Sequence, residues 1–243
     1  MNISIITIIL NDRINIENTI LSVLNQDTNK LEYIIIDGGS TDGTLEVIEK
    51  YKNKINIFIS EKDNGIYDAM NKAVDMASGD WVCFMNSGDT FIDDKILSTL
   101  FDKQNNKNTH VIYGDHQVNY LNKSKIIKAN TIENIWKGSI FSHQSSFVKR
   151  EVLKEYKFNI SNKITADYEL FYTLIKENKV FEYIPVIVSA VSSSGISDIK
   201  RIDSIVSRWN ILDKTFQINI YYLRLVIVEI FKKYIKKLLG RGV

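Results

Sequence analysis

Carboxylates and carboxamides sit directly after apolar runs in this chain, and these are the residues whose chemistry goes beyond filling a core. Thr7 lies inside the run Ile3 to Leu10, and Asn11-Asp12 follow it. A second run ends in Asp37-Gly38-Gly39-Ser40-Thr41-Asp42-Gly43, and a third in Asn86-Ser87-Gly88-Asp89. Asn86 and Asp89 offer oxygen ligands of the kind that Mg²⁺ or Mn²⁺ prefers, and a cation there would bridge phosphates. The competing reading is a polar turn closed by Asp89. The glycines after Asp37 let backbone approach a ligand closely, and Ser40 or Asp42 suits a helix cap. Between these ends, Glu61 to Asn71 reads as a loop entering a helix. It places Asp63 before Gly65, and Asp68 and Asn71 three apart on one helix face. In the second half, Asp167 and Glu169 stand at the start of an amphipathic helix. Negative charge is favoured there by the dipole, and a carboxylate so placed also suits a general base. The two cannot share one face, so Asp167 alone is the candidate base. His143, in a polar island Phe141 to Ser145, lines a phosphate or acceptor pocket or is simply hydrogen-bonded into the fold.

The elements that position these groups follow from periodicity. Ile3 to Leu10, Tyr33 to Asp37, Ile55 to Ser60 and Trp81 to Asn86 read as strands rich in Ile, Val and aromatics. Helix-period segments alternate with them, including Ile16 to Leu24 and Ile66 to Ala77, so the fold class is α/β with a mostly parallel central sheet flanked by helices. Ligands of such sheets sit beyond the carboxyl ends of the strands, where the polar residues above collect. Further along, helices are expected over about 95–102, 150–156, 167–178 and 202–216. Strands are expected at Val111 to Tyr113 and Glu182 to Val188, with a hairpin-like stretch up to Lys128. Pro185, the only proline, suits a strand edge. No linker-like segment or repeat divides the chain.

Composition narrows the function classes. Cys83 is the only cysteine, so no intrachain disulfide forms, and a reducing compartment is expected. The first residues read as a buried strand and not as a signal peptide. From Arg224 onward six basic residues face one acid, a tail of net charge +5 that leaves −3 for the rest of a chain whose total is +2. A neutral to acidic body argues against nucleic-acid binding, whereas a basic, apolar tail suits an anionic membrane surface. That tail is too interrupted by charge to span a bilayer and reads as an interfacial helix, or as a terminal helix packed on the body or on a second subunit.

Taken together, Thr7, Asn11, Asp37 to Gly43, Asp63 to Asn71, Asn86 to Asp89 and Ala166 to Glu169 resemble glycosyltransferase family 2, most specifically in the first half of the chain. The likeness is nearest to bacterial enzymes that build O-antigen, capsule or exopolysaccharide repeat units. It implies a GT-A fold over 1–216, with a nucleotide-sugar half (1–95) and an acceptor half (96–216), followed by a basic amphipathic tail (217–243). It also implies a UDP-sugar donor, Mn²⁺ or Mg²⁺, and inversion at the anomeric carbon. Thr7 and Asn11 would line the nucleoside pocket, and Asp37 with Gly39 would meet the uracil. Asp63, Asp68 and Asn71 would surround the ribose and diphosphate. Asn86, Ser87 and Gly88 would occupy the place of the family's Asp-x-Asp motif, from which Asn86 and Gly88 depart. Asp89, with a shift towards His143, would hold the metal, and Asp167 would be the base. The acceptor would be a glycan or an undecaprenyl-diphosphate-linked glycan, met at the inner face of the cytoplasmic membrane. Processive synthases carry Gln-x-x-Arg-Trp; here Arg208-Trp209 follows Ile205, so one sugar per encounter is expected. A dinucleotide oxidoreductase would need G-x-G-x-x-G after the first strand, where Asn11-Asp12-Arg13 stand. The remaining rival is a non-catalytic, membrane-associated partner that kept the fold.

Overall fold

Seven consecutive buried residues put β1 (Ile3–Ile9) at the centre of the sheet. A strand covered on both faces reads as one apolar run. It is flanked by two parallel partners, β2 (Leu31–Asp37) and β4 (Trp81–Phe84), and β3 (Ile57–Ser60) adds outside β2, also parallel. The computed structural model describes residues 2–193 and 199–238, the last three by backbone alone. Neighbouring side chains on a strand point to opposite faces. Ile6, Ile8, Ile34 and Ile36 therefore join one core with α3 (Ile66–Met76). Ile5, Ile9, Tyr33 and Ile35 join a second core with α1 (Ile16–Leu24) and α2 (Thr44–Glu49). These crossover helices leave all four strand ends open on one edge of the sheet.

The second half extends the same sheet with mixed directions. β8 (Ser146–Lys149) lies antiparallel beside β4, and β6 (Val111–Tyr120) antiparallel beside β8. β9 (Phe181–Ser192) follows parallel to β6, with the two-residue β5 (Thr90–Phe91) antiparallel on its far side. β7 (Lys123–Ile127) forms a hairpin with β6. Helices α4 (Ile96–Lys103), α5 (Arg150–Tyr156), α6 (Ala166–Lys176), α7 (Arg201–Ile211) and α8 (Phe216–Leu238) complete the described chain. The α/β architecture expected from the alternating pattern is present, its parallel block being β3-β2-β1-β4.

Several boundaries differ from expectation for identifiable reasons. β1 stops at Ile9 because Leu10 turns out to solvent and Asn11 adopts φ +52. The helix expected over 202–216 is two: Leu212 is extended and buried, and the Thr215 hydroxyl accepts the Ile218 N–H at 3.3 Å to start α8. β8 escapes periodicity because only Phe147 and Val148 are apolar within a polar stretch. Pro185 lies where the β6–β9 register slips between Tyr113 and Asp115, so no ladder bond is lost. Opposite it, a Cβ on Gly114 would stand 2.7 Å from the Val186 carbonyl oxygen, which restricts this position to glycine.

Candidate active site

The end of β2 is built around one buried carboxylate. Asp37 accepts hydrogen bonds from the Gly39 N–H at 3.0 Å, the Ser40 N–H at 2.9 Å, the Ser40 hydroxyl, and the Ser60 hydroxyl at 2.7 Å. Four donors saturate it, and they force Gly39 into φ +89, a region glycine enters without cost. Ser40 Oγ in turn accepts the Asn11 N–H at 2.7 Å, and Asn11 Oδ1 accepts the Thr41 N–H at 2.9 Å, which ties the ends of β1 and β2 together. Thr7 is wholly buried, paired with the Tyr33 hydroxyl at 3.0 Å and donating to the Met85 carbonyl at 2.7 Å. Thr7 and Asp37 therefore brace the strand ends from below, whereas the expectation had them touching the nucleoside. Asn11, Gly39, Thr41 and Ser60 are the exposed members of the group.

Asp63 stands against this bracket. One of its oxygens accepts the Gly65 N–H at 2.8 Å, and the other would lie 2.8 Å from a Cβ placed on Gly38, so the missing side chain of Gly38 makes room for it. Asp68 accepts the Asn64 N–H at 3.0 Å and pairs with Lys72, a turn at the start of α3. Asn71 binds the backbone of Phe158 with both ends of its amide, at 2.9 Å each. Asn71 is thus a clamp between α3 and the segment after α5, with one N–H and one oxygen lone pair of its amide left over.

The third strand end is knitted to the first. Ser87 Oγ donates to Asp12 at 2.7 Å, and Gly88, at φ +91, donates its N–H to the Thr19 hydroxyl at 3.1 Å. Asp89 is buried, with Oδ2 accepting the Gln144 amide at 2.6 Å and Oδ1 the Ser192 N–H at 3.0 Å. Burial pushes its carboxyl above the ordinary range, offset only in part by these donors. The remaining member, Asn86, reaches His143: its Nδ2 lies 3.2 Å from Nε2. With the amide so oriented, Nε2 accepts and Nδ1 carries the proton.

His143 Nδ1 stands 3.4 Å from Asp167 Oδ2, and the Tyr67 hydroxyl donates to Asp167 Oδ1 at 2.9 Å. Burial alone would raise the Asp167 carboxyl. The hydrogen bonds from His143 and Tyr67 and the Tyr168 N–H outweigh it and hold the group below the ordinary carboxylate value. Burial drives the Tyr67 hydroxyl far upward, so it remains a donor. Asp167 and His143 form one end of a small slot floored by Ile135, Ile140, Phe141, Tyr168 and Phe171. Glu169 turns away to Asn159 and Asn162, which leaves Asp167 as the carboxylate in the slot.

The structure brings Asn86, His143 and Asp167 together and sets Asp89 close behind them. It does not bring them together as a metal centre. Each oxygen of Asp89 accepts one hydrogen bond, each ring nitrogen of His143 has a partner, and no three carboxylate, imidazole or thiol groups converge among the described residues. Asp89 is held as an anchor by Gln144 and Ser192, and His143 bridges Asn86 and Asp167. The one polar side-chain atom of the quartet that is buried with no protein partner is Asn86 Oδ1. Tyr67, Gln144 and Thr19 received no role in the sequence. Tyr67 had the best available signal, one position before Asp68 at a helix start.

The glycosyl transferase family 2 pattern matches residues 4–169. A glycosyltransferase of Haemophilus influenzae without an assigned substrate is 32% identical over 74% of this chain and 75% of its own. The chain belongs to glycosyltransferase family 2. This family 2 glycosyltransferase is also 38% identical over 101 residues, 40% of each chain, to TuaG of Bacillus subtilis, a putative teichuronic acid biosynthesis glycosyltransferase. Among solved structures it superposes on S. aureus TarS 1–349 with UDP-GlcNAc, TM-score 0.69 at 18% identity, covering 87% of this chain and 65% of that one. It superposes on the mannosyltransferase PcManGT of Pyrobaculum calidifontis with GDP-Man and Mn²⁺, TM-score 0.68 at 17% identity, covering 86% and 63%. The GT-A fold is thereby established. The chain spans 39% of the longer TarS chain and 40% of TuaG.

Proposed function

We propose that this glycosyltransferase moves a sugar from a UDP-sugar to a hydroxyl of a glycan or undecaprenyl-diphosphate-linked acceptor of a bacterial surface polysaccharide (O-antigen, capsule or lipopolysaccharide), by single displacement with inversion. The observation that carries the reading is Asp167: an ionised carboxylate, held by two donors from distant elements, at the end of a slot beside the third strand end. The acceptor hydroxyl enters the slot and gives its proton to Asp167 as its oxygen attacks the anomeric carbon. The new C–O bond forms on one face while the bond to the diphosphate breaks on the other, and its electron pair leaves with UDP. His143 and Tyr67 fix the carboxylate, and Asn86 Oδ1 accepts a donor hydroxyl. Asn11, Gly39 and Asp63 form the rim against which the nucleotide rests, with Ser87 and Gly88 beneath the diphosphate. Mn²⁺ or Mg²⁺ belongs to this reading as a companion of the donor's phosphates, since such ions keep water and phosphate ligands beside few protein carboxylates. The protein works in the cytoplasm at the inner face of the membrane.

Calorimetry with UDP, with GDP as control, in Mn²⁺ and then in EDTA tests the donor, and turnover of UDP-sugars by wild type and Asp167→Asn tests the base. UDP binding without turnover in Asp167→Asn is the expected pair of results. Absence of nucleotide binding under both conditions would move the protein to a non-catalytic partner role.

A further inference from the structure

Helix α8 carries two apolar faces. At 100° per residue, Ile218, Tyr222, Leu225 and Val226 fall on one side and pack onto the body. Tyr222 is fully buried and stacks on Trp209 with centroids 6.2 Å apart. On the other side, Ile220, Leu223, Ile227, Ile230, Phe231 and Tyr234 fall within an arc of about 100°. Among the described residues they cover nothing: Ile227 is 57% exposed, Phe231 62% and Tyr234 59%. An apolar stripe this long and solvent-facing needs an occupant.

We infer that the outward stripe of α8 lies in the plane of an anionic membrane surface. Charge decides the occupant. Arg224 borders the stripe on one edge, Lys232 and Lys233 lie farther round the helix, about 100° and 60° past its two edges, and Lys236, Lys237 and Arg241 follow in sequence, against Glu229 alone. Glu229 is itself paired with Lys232 at 2.7 Å. Apolar side chains thus enter the acyl boundary while ammonium and guanidinium groups remain at the level of lipid phosphates. The helix does not cross: no described helix is long and apolar enough.

The inward face ties this contact to the proposed slot. Tyr221 packs edge-on against Trp136 at 5.3 Å, and its hydroxyl donates to the Lys137 carbonyl at 3.2 Å. Trp136 and Lys137 belong to the short turn Ile132–Lys137, whose Ile135 lines the slot and whose Ile135 carbonyl accepts the Tyr168 hydroxyl at 2.9 Å. Membrane contact and slot wall are therefore joined through one turn. The slot part of this inference rests on the transfer reading; the docking part stands apart from it.

Co-sedimentation of the full chain with phosphatidylcholine vesicles, with and without phosphatidylglycerol, tests the docking. Wild type is expected to pellet with the anionic vesicles and to be released by salt. Ile227→Asp/Phe231→Asp should weaken that partition by roughly tenfold or more, and Lys232→Glu/Lys233→Glu should weaken it too. UDP binding, unchanged in both variants, shows that they are folded; loss of UDP binding in every protein would count against the transfer reading and leave the docking result intact. Wild type remaining in the supernatant with anionic vesicles overturns the inference, as does a dimer in size-exclusion chromatography that the Ile227→Asp/Phe231→Asp variant dissolves.

Discussion

Two carboxylates of this protein are held in opposite ways. Asp37 receives four donors, all from its own turn and the next strand, and presents nothing to a ligand. Asp167 receives its side-chain donors from Tyr67 and His143, remote elements that meet only in the fold, and it faces a slot. A saturated carboxylate is architecture, and a carboxylate aimed by distant groups is available for chemistry. The largest expected effect tests the second half of that contrast. Asp167→Asn, which keeps shape and removes the base, should lower kcat by about 10²- to 10⁴-fold while UDP affinity stays within error. Near-normal turnover would erase the distinction.

Asp37→Ala tests the first half. Buried N–H groups of Ser40 and its neighbours would lose a charged acceptor, a stability loss of about 3 kcal/mol in denaturant unfolding. Any fall in turnover should track the unfolded fraction. A folded, fully stable variant with lost UDP binding would instead make Asp37 a ligand contact.

The two positioning groups come next. His143→Gln and Tyr67→Phe each remove a hydrogen bond that lowers the Asp167 carboxyl, so its pKa should rise. The acid limb of kcat/KM should move to higher pH, with kcat down by about tenfold. The stability sign follows: a depressed carboxyl stabilises the fold above its unfolded pKa, and that contribution is lost as pH falls through the folded value. Weakening the depression shrinks the contribution. An unchanged pH profile with reduced kcat would make these residues mere packing.

The parallel block was legible because its strands are mostly apolar, broken only by Ser4 and Thr7 in β1 and Glu32 in β2, and end in polar residues. β5 and β8 were not, since two or four residues carry no period and their place depends on neighbours. Asp167 faces the slot while Glu169 turns away, but the partners of Asp167 are not legible: Tyr67 lies 100 residues away, and no local pattern announces that contact. Thr7, Asp89 and Asn71 share one feature that their positions do not announce: each is hydrogen-bonded within the fold. Residue type and strand-end position mark a polar group as important, yet only three-dimensional contacts reveal whether its hydrogen bonds are already spent.

Asn71 supplies the smallest and sharpest test of that distinction. Position and type made it a donor contact, whereas its amide closes a two-bond clamp on the Phe158 backbone, between the helix that carries Tyr67 and the segment leading to Asp167. Asn71→Ala should therefore cost about 1 kcal/mol of stability and leave UDP affinity unaltered. A small drop in kcat would follow from loosening the Tyr67–Asp167 distance and not from any lost contact with the nucleotide. If UDP affinity fell instead while stability held, the clamp would be incidental, and the free N–H and lone pair of the Asn71 amide would be what the nucleotide uses.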